Sequence, residues 1–276
     1  MNNIETVDLV CSTYQSADSD HERPAVVLLH AFPFDARLWH PVALQLAMHG
    51  WKVIVPNLRG CGASPAGHDA ASMELLGADV WACLDTQKVS RPIIIGISLG
   101  GYVVMEMLRQ RPEAVWGIGL IDTKATADNE AGRAQRIEVA QSMRESGDVK
   151  SFAKAMLPRL IASEHANDDS AVARTVSAWM QEAHPLTIAW LQEAMANRPD
   201  SVDTLTRFKG DALLVRGRQD LVCTTDDYDL MFQALKNREY TEVYEAGHLP
   251  PIEDPGMTSL ILVEWLKKVA VAEDKP

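Results

Sequence analysis

The stretch Pro92-Ile93-Ile94-Ile95-Gly96-Ile97-Ser98-Leu99-Gly100-Gly101 decides how this chain is read. Its three consecutive isoleucines are apolar at every position, as a central strand covered on both faces requires, and a proline is tolerated at a strand's first residue. The pattern Gly96-x-Ser98-x-Gly100 suits a tight strand-to-helix turn, because only small neighbours let such a turn close. A serine on that turn projects its hydroxyl clear of the sheet. The helix opening at Leu99 places amide donors and a positive dipole end beside it, where an oxyanion would be stabilised.

Working outward, further short β-rich runs fall at 25–30, 53–55, 115–121, 212–216 and 241–244, with 92–97 among them. Helical patterns lie between them at 37–49, closed by Gly50, at 72–86 and at 99–109. A final helix is predicted with Asp254 as N-cap, Pro255 in its first turn, and an apolar stripe through Leu260, Leu262, Val263 and Leu266. This alternation predicts an α/β fold, a mostly parallel sheet flanked by helices. From about Lys124 to Arg207 the alternation stops, and the chain is rich in Ala, Met, Gln and Glu at helical spacing. We therefore expect a core made of 1–123 and 208–276, and an all-helical insertion, 124–207, divided by Pro158, Pro185 and Pro199 into some four helices. Its larger apolar residues, Met156, Leu157, Trp179, Met180, Trp190 and Met195, either form the insertion's own core or wall a cleft.

A serine hydroxyl is a weak nucleophile until a base takes its proton. His248, in Glu245-Ala246-Gly247-His248-Leu249-Pro250, follows the last strand and is placed to reach the carboxyl ends of the others. The alternative is an ordinary surface-loop histidine. Imidazole in turn needs a carboxylate to fix its tautomer. Asp220, after the strand at 212–216, is the candidate, with Asp122 as a rival that also ends a strand; Asp226 and Asp227 read as helix caps. Two oxyanion donors are expected: the Leu99 N–H, and the Phe32 N–H in His30-Ala31-Phe32-Pro33-Phe34-Asp35, since Pro33 has none. His30 reads as a bracket for this loop in preference to a base. Substrate contacts are expected from His30, Met156, Trp179, Trp190 and Leu249. Cys61 is read as packing near the cleft.

With Ser98, Asp220, His248 and the loop at His30 in that chain order, the sequence resembles the α/β-hydrolase superfamily over nearly its whole length, in its serine carboxylesterase and enol-lactonase-like branch. The stretch Asn57-Leu58-Arg59-Gly60-Cys61-Gly62-Ala63-Ser64 is similar to the family's D-x-R-G-x-G-x-S loop. The insertion falls after the strand ending at Ile121, where family caps sit, and Gly247-His248 through Glu253-x-Pro255 resembles the family's carboxyl-terminal signature. Ala31 stands where many members have glycine, and Asn57 where most have aspartate, which bears on how Arg59 is held. The resemblance implies a cofactor-free, metal-free serine hydrolase acting on a small carboxylic ester or lactone. It leaves open carbon–carbon hydrolases and perhydrolases, which use the same triad, and fold does not by itself exclude a non-catalytic ligand-binding protein.

Composition agrees. The 276 residues are 47% hydrophobic and 23% charged, as in a packed globular protein, and 26 Lys+Arg against 38 Asp+Glu give a net charge of −12. A field of that sign repels phosphate backbones and anionic bilayers, so neither nucleic acid nor a membrane is an expected partner. The four cysteines, Cys11, Cys61, Cys83 and Cys223, show no C-x-x-C pair and suit a reducing compartment. The amino terminus has neither a basic stretch nor an apolar core, so no secretory signal is expected and a cytoplasmic location is. The sequence leaves monomer and homodimer both open.

Overall fold

The computed structural model describes residues 5–16, 23–166 and 170–271. Met1 to Ile4, on which the expectation about a secretory signal partly rests, lie outside them. Seven strands form one sheet: β1 (Cys11–Tyr14), β2 (Val26–Leu29), β3 (Val53–Pro56), β4 (Ile93–Ile97), β5 (Gly117–Ile121), β6 (Asp211–Gly217) and β7 (Asn237–Val243). Their order is β1-β3-β2-β4-β5-β6-β7, with β1 antiparallel to β3 and all other neighbours parallel. The helices of the sheet region are α1 (His40–Met48), α2 (Met73–Thr86) and α3 (Leu99–Gln110). Between β5 and β6, among the described residues, run α4 (Glu130–Glu145), α5 (Val149–Leu160), α6 (Ala171–Glu182), α7 (Pro185–Ala196) and α8 (Val202–Arg207). The carboxyl-terminal part adds α9 (Thr225–Ala234), α10 (Pro250–Glu253) and α11 (Pro255–Val271).

Strand side chains alternate in direction, so the central sheet divides two cores. Ile93, Ile95 and Ile97 pack with Leu28, Val53 and Val215 against α1 and α11, while Ile94 packs with Val27, Ile54 and Leu214 against α2 and α3. Both faces are buried, which is why β4 reads as an unbroken apolar run.

Three local expectations change. The edge strand β1 has a mixed burial pattern, and its polar Ser12 and Thr13 hide it from a hydrophobicity reading. Among the described residues the helical stretch holds five helices: Pro185 opens α7 and Pro199 falls between α7 and α8 as expected, but Pro158 lies inside α5, and Gly147, at φ +61°, separates α4 from α5. On α11 the buried stripe is Leu262, Val263, Trp265 and Leu266, whereas Leu260 is exposed. Among the described residues no helix is long and apolar enough to cross a membrane.

Candidate active site

The turn between β4 and α3 holds Ser98 at φ +53°, ψ −114°, a left-handed conformation that a side chain rarely adopts. The surrounding chain enforces it. A Cβ at Gly96 would collide with the Gly100 backbone, and one at Gly100 with the Leu29 carbonyl, so neither position accepts a larger residue without moving β2 or α3. The Ser98 N–H donates to Ile121 O at 2.9 Å, and Thr123 Oγ1 donates to Ser98 O at 2.9 Å, pinning the turn to the end of β5.

From this turn the Ser98 Oγ lies 2.8 Å from His248 Nε2, and His248 Nδ1 lies 3.0 Å from Asp220 Oδ1. A carboxylate can only accept, so Nδ1 carries the proton and Nε2 is left to accept from the serine hydroxyl. His248 is 2% exposed and Asp220 5%. Burial pushes the Asp220 carboxyl up, but the adjacent His248, its hydrogen bond and the Val222 amide outweigh this and hold it below its ordinary value. The sequence candidates Ser98, Asp220 and His248 thus meet in space.

Asp122, the rival acid, lies behind them. Its Oδ1 accepts from the Gly217 N–H at 2.9 Å, its Oδ2 finds no donor, and it does not touch His248. Burial first, then the neighbouring Asp220 charge, pushes its carboxyl well above its ordinary value, which favours the protonated form. Asp227 is a helix cap: it forms a capping box with Thr224 at the start of α9.

Neither the Phe32 nor the Leu99 N–H has an intramolecular acceptor among the described residues. His30 explains how the loop carrying Phe32 is held. It is fully buried, its Nδ1–H donates to Ala31 O at 3.0 Å, and its Nε2 accepts from the Leu58 N–H at 3.0 Å. Burial pushes its pKa down, consistent with a neutral ring that ties two loops together. Asn57 does not hold Arg59; its Oδ1 accepts from the Ala36 N–H at 2.8 Å. Arg59 is instead clamped in a buried pair with Asp79, at 2.7 and 2.9 Å, and reaches Asp69 at 3.0 Å.

Ser98 and His248 open onto a cavity of about 200 Å³. Phe32, Phe152, Met156 and Val222 form its apolar wall, with Phe32 and Phe152 edge to face at 5.9 Å. Of the five expected substrate contacts only Met156 lines it. His30 and Leu249 are fully buried outside it. Trp179 borders a separate cavity and stacks on Arg37, whose charge also pairs with Glu182. Trp190 is turned away, its indole N–H donating to Asp69 O at 2.8 Å. Helical periodicity marks these residues as apolar but not the rotation of each helix, so it cannot tell a cleft wall from a packed interface. Cys61 is buried, and its thiol is pushed up to about 12 by burial, in keeping with packing.

One positioning residue is missed by reading side chains for catalytic chemistry alone. Glu253 accepts from the Gly247 and Leu249 N–H groups, at 3.0 and 2.9 Å, on either side of His248, and from the Ala162 N–H at 2.6 Å. The His248 N–H donates to Leu160 O at 3.0 Å, so the histidine loop is bound to the end of α5. The signal was present in the sequence as Glu253-x-Pro255 but carried no assigned role. Asp220, Cys223 and His248 also bring donor atoms within 4.8 Å of one another. The first and third are committed to each other, and burial raises the Cys223 thiol far above its ordinary value, which disfavours the thiolate a metal would need.

The sequence matches the alpha/beta hydrolase fold family over residues 24–255. It is 27% identical over 239 residues to a pimeloyl-[acyl-carrier protein] methyl ester esterase of Aeromonas hydrophila, covering 84% of this chain and 91% of that one. It is 27% identical over 254 residues to 3-oxoadipate enol-lactonase 2 of Acinetobacter baylyi, covering 91% and 90%. Among solved structures, a thermophilic esterase from Thermogutta terrifontis superposes with a TM-score of 0.88 at 28% identity, over 95% of this chain and 94% of that one.

Proposed function

The chain belongs to the alpha/beta hydrolase fold family, and from that premise we propose that it is a serine hydrolase cleaving small carboxylic esters or lactones through an acyl-enzyme. The observation that carries this is the aligned relay Ser98 Oγ, His248, Asp220, at 2.8 and 3.0 Å, at the floor of an open cavity. The named esterase and enol-lactonase relatives support the same bond type.

In this reading the Ser98 oxygen attacks the substrate carbonyl while His248 Nε2 takes its proton. Asp220, accepting from Nδ1–H, stabilises the imidazolium. The carbonyl oxygen becomes an oxyanion between the Phe32 and Leu99 N–H groups. Collapse breaks the carbonyl–alkoxy bond, and His248 gives its proton to the departing alcohol oxygen; in a lactone that alcohol stays attached to the acyl group. Water then repeats the sequence on the acyl-serine, releasing the acid and restoring Ser98. Residues 124–207 serve as the cap over this cleft, supplying Met156 and Phe152 to its wall.

The test is hydrolysis of p-nitrophenyl acetate and butyrate by the wild type and Ser98→Ala. The reading expects a fall in kcat on the order of 10⁴-fold or more with the fold unchanged. Turnover by Ser98→Ala at the wild-type rate would overturn it.

A further inference from the structure

The four cysteines carry no spacing motif, yet the fold brings two of them together. Cys11 on β1 and Cys83 in the last turn of α2 are 72 residues apart in the chain, and their sulfurs lie 2.8 Å from each other. Both are partly exposed, whereas Cys61 and Cys223 are buried and burial pushes their thiols up. Sulfurs already in contact need only a small side-chain adjustment to bond.

The two sulfurs are not equivalent. Gln87, the C-cap of α2, donates its Nε2–H to Cys83 Sγ at 3.3 Å, which favours Cys83 as the acceptor from Cys11 as well. The hydrogen bond from Cys11, with Gln87 adding to it against burial, brings the Cys83 thiol down to about 7. The same contact, together with burial, pushes the Cys11 thiol up. Cys83 is thus the thiol more readily oxidised, and Cys11 stands beside it as the thiol that resolves the oxidised sulfur. The stretch around Cys11 is otherwise tied down by polar contacts: the Val7 N–H donates to Asp79 Oδ1 on α2 at 2.9 Å, and the Val10 N–H to Ser64 Oγ at 2.9 Å. Neither cysteine lines the cavity at Ser98.

We propose that Cys11 and Cys83 form a redox modification site, at which a hydroperoxide converts the dithiol to a reversible disulfide that fastens β1 to α2. The Cys83 thiolate attacks a peroxide oxygen, the O–O bond breaks, and the released hydroxide takes up a proton and leaves as water. The Cys11 sulfur then attacks the sulfur of the Cys83 sulfenic acid; the S–O bond breaks, and the Cys11 proton leaves with that oxygen as a second water. The dithiol loses two electrons and the peroxide gains them. Nothing in this chemistry depends on the bond that Ser98 cleaves.

The test treats the reduced full-length chain with a small molar excess of hydrogen peroxide, blocks the remaining thiols with N-ethylmaleimide in denaturant, and locates cross-links in unreduced tryptic peptides by fragmentation. The wild type is expected to give a Cys11–Cys83 bridge within one chain. Its melting temperature should rise by roughly 5 °C, and dithiothreitol should reverse both changes. Cys11→Ser lacks the resolving thiol, so Cys83 should instead accumulate as sulfinic or sulfonic acid with no such rise. Recovery of Cys11 and Cys83 as maleimide adducts in the treated wild type overturns the site. So does a bridge that runs to Cys61, Cys223 or a second copy of the chain, or a wild-type Cys83 driven to sulfinic acid. A Cys11–Cys83 bridge that leaves the melting temperature unchanged overturns the fastening of β1 to α2.

Discussion

At the scale of single residues, the two buried aspartates beside His248 are separated by their surroundings. Asp220 touches the imidazole, which holds its carboxyl below its ordinary value, whereas burial and the Asp220 charge push the Asp122 carboxyl up. Asp220→Asn should therefore lower kcat on the order of 10⁴-fold, because the amide no longer selects the working tautomer. Asp122→Asn mimics a neutral acid and should keep most of the activity. The pH dependence of stability gives an independent check. A group whose folded pKa is raised keeps its proton in the native state while the unfolded chain loses it above the ordinary aspartate range, so this group makes wild-type stability fall as pH rises through that window. Asp122→Asn lacks this loss, and its melting temperature should decline less than that of the wild type between pH 5 and 8. A wild type and variant with parallel profiles would show that Asp122 is ionised. Sequence order favours Asp220 over Asp122, but both follow strands, and it is the fold that brings Asp220 and not Asp122 against His248.

At the scale of elements, β4, its glycine turn and α3 were legible because they are set by local rules: an apolar run, small residues where backbones cross, and a helix start. The edge strand β1 and the cleft lining were not, since an edge strand need not be apolar and the rotation of α5 and α7 is fixed by tertiary packing. Trp190 shows the limit: its apolar character was clear, but its hydrogen bond to Asp69 turns it from the cleft. The clamp formed by Glu253 at the end of α10 is likewise a matter of loop folding. Glu253→Ala leaves the Gly247, Leu249 and Ala162 amides without their acceptor, three buried donors at once. We expect a loss of about 3 kcal/mol in unfolding free energy, measured by urea denaturation, together with a drop in kcat larger than the change in KM, because the histidine loop loses its fixed position. Unchanged kcat at reduced stability would make Glu253 a support of the fold alone.

At the scale of the whole molecule, the sheet separates two buried apolar cores and places Ser98, after β4, and Asp220, after β6, at the carboxyl ends of its parallel strands. The helices after β5 close the other side of the cleft. On the proposed function, a sheet-bearing core would hold the relay rigid while the helical stretch after β5 would select the substrate. The proposed acyl-enzyme route requires that Ser98 be acylated in turnover. Rapid mixing of the wild type with p-nitrophenyl butyrate, followed by acid quench and peptide mass analysis, tests it most directly. The acyl-enzyme route is expected to leave a butyryl adduct on the peptide containing Ser98 and none in Ser98→Ala. An adduct on another residue, or steady hydrolysis by Ser98→Ala at the wild-type rate, would contradict it.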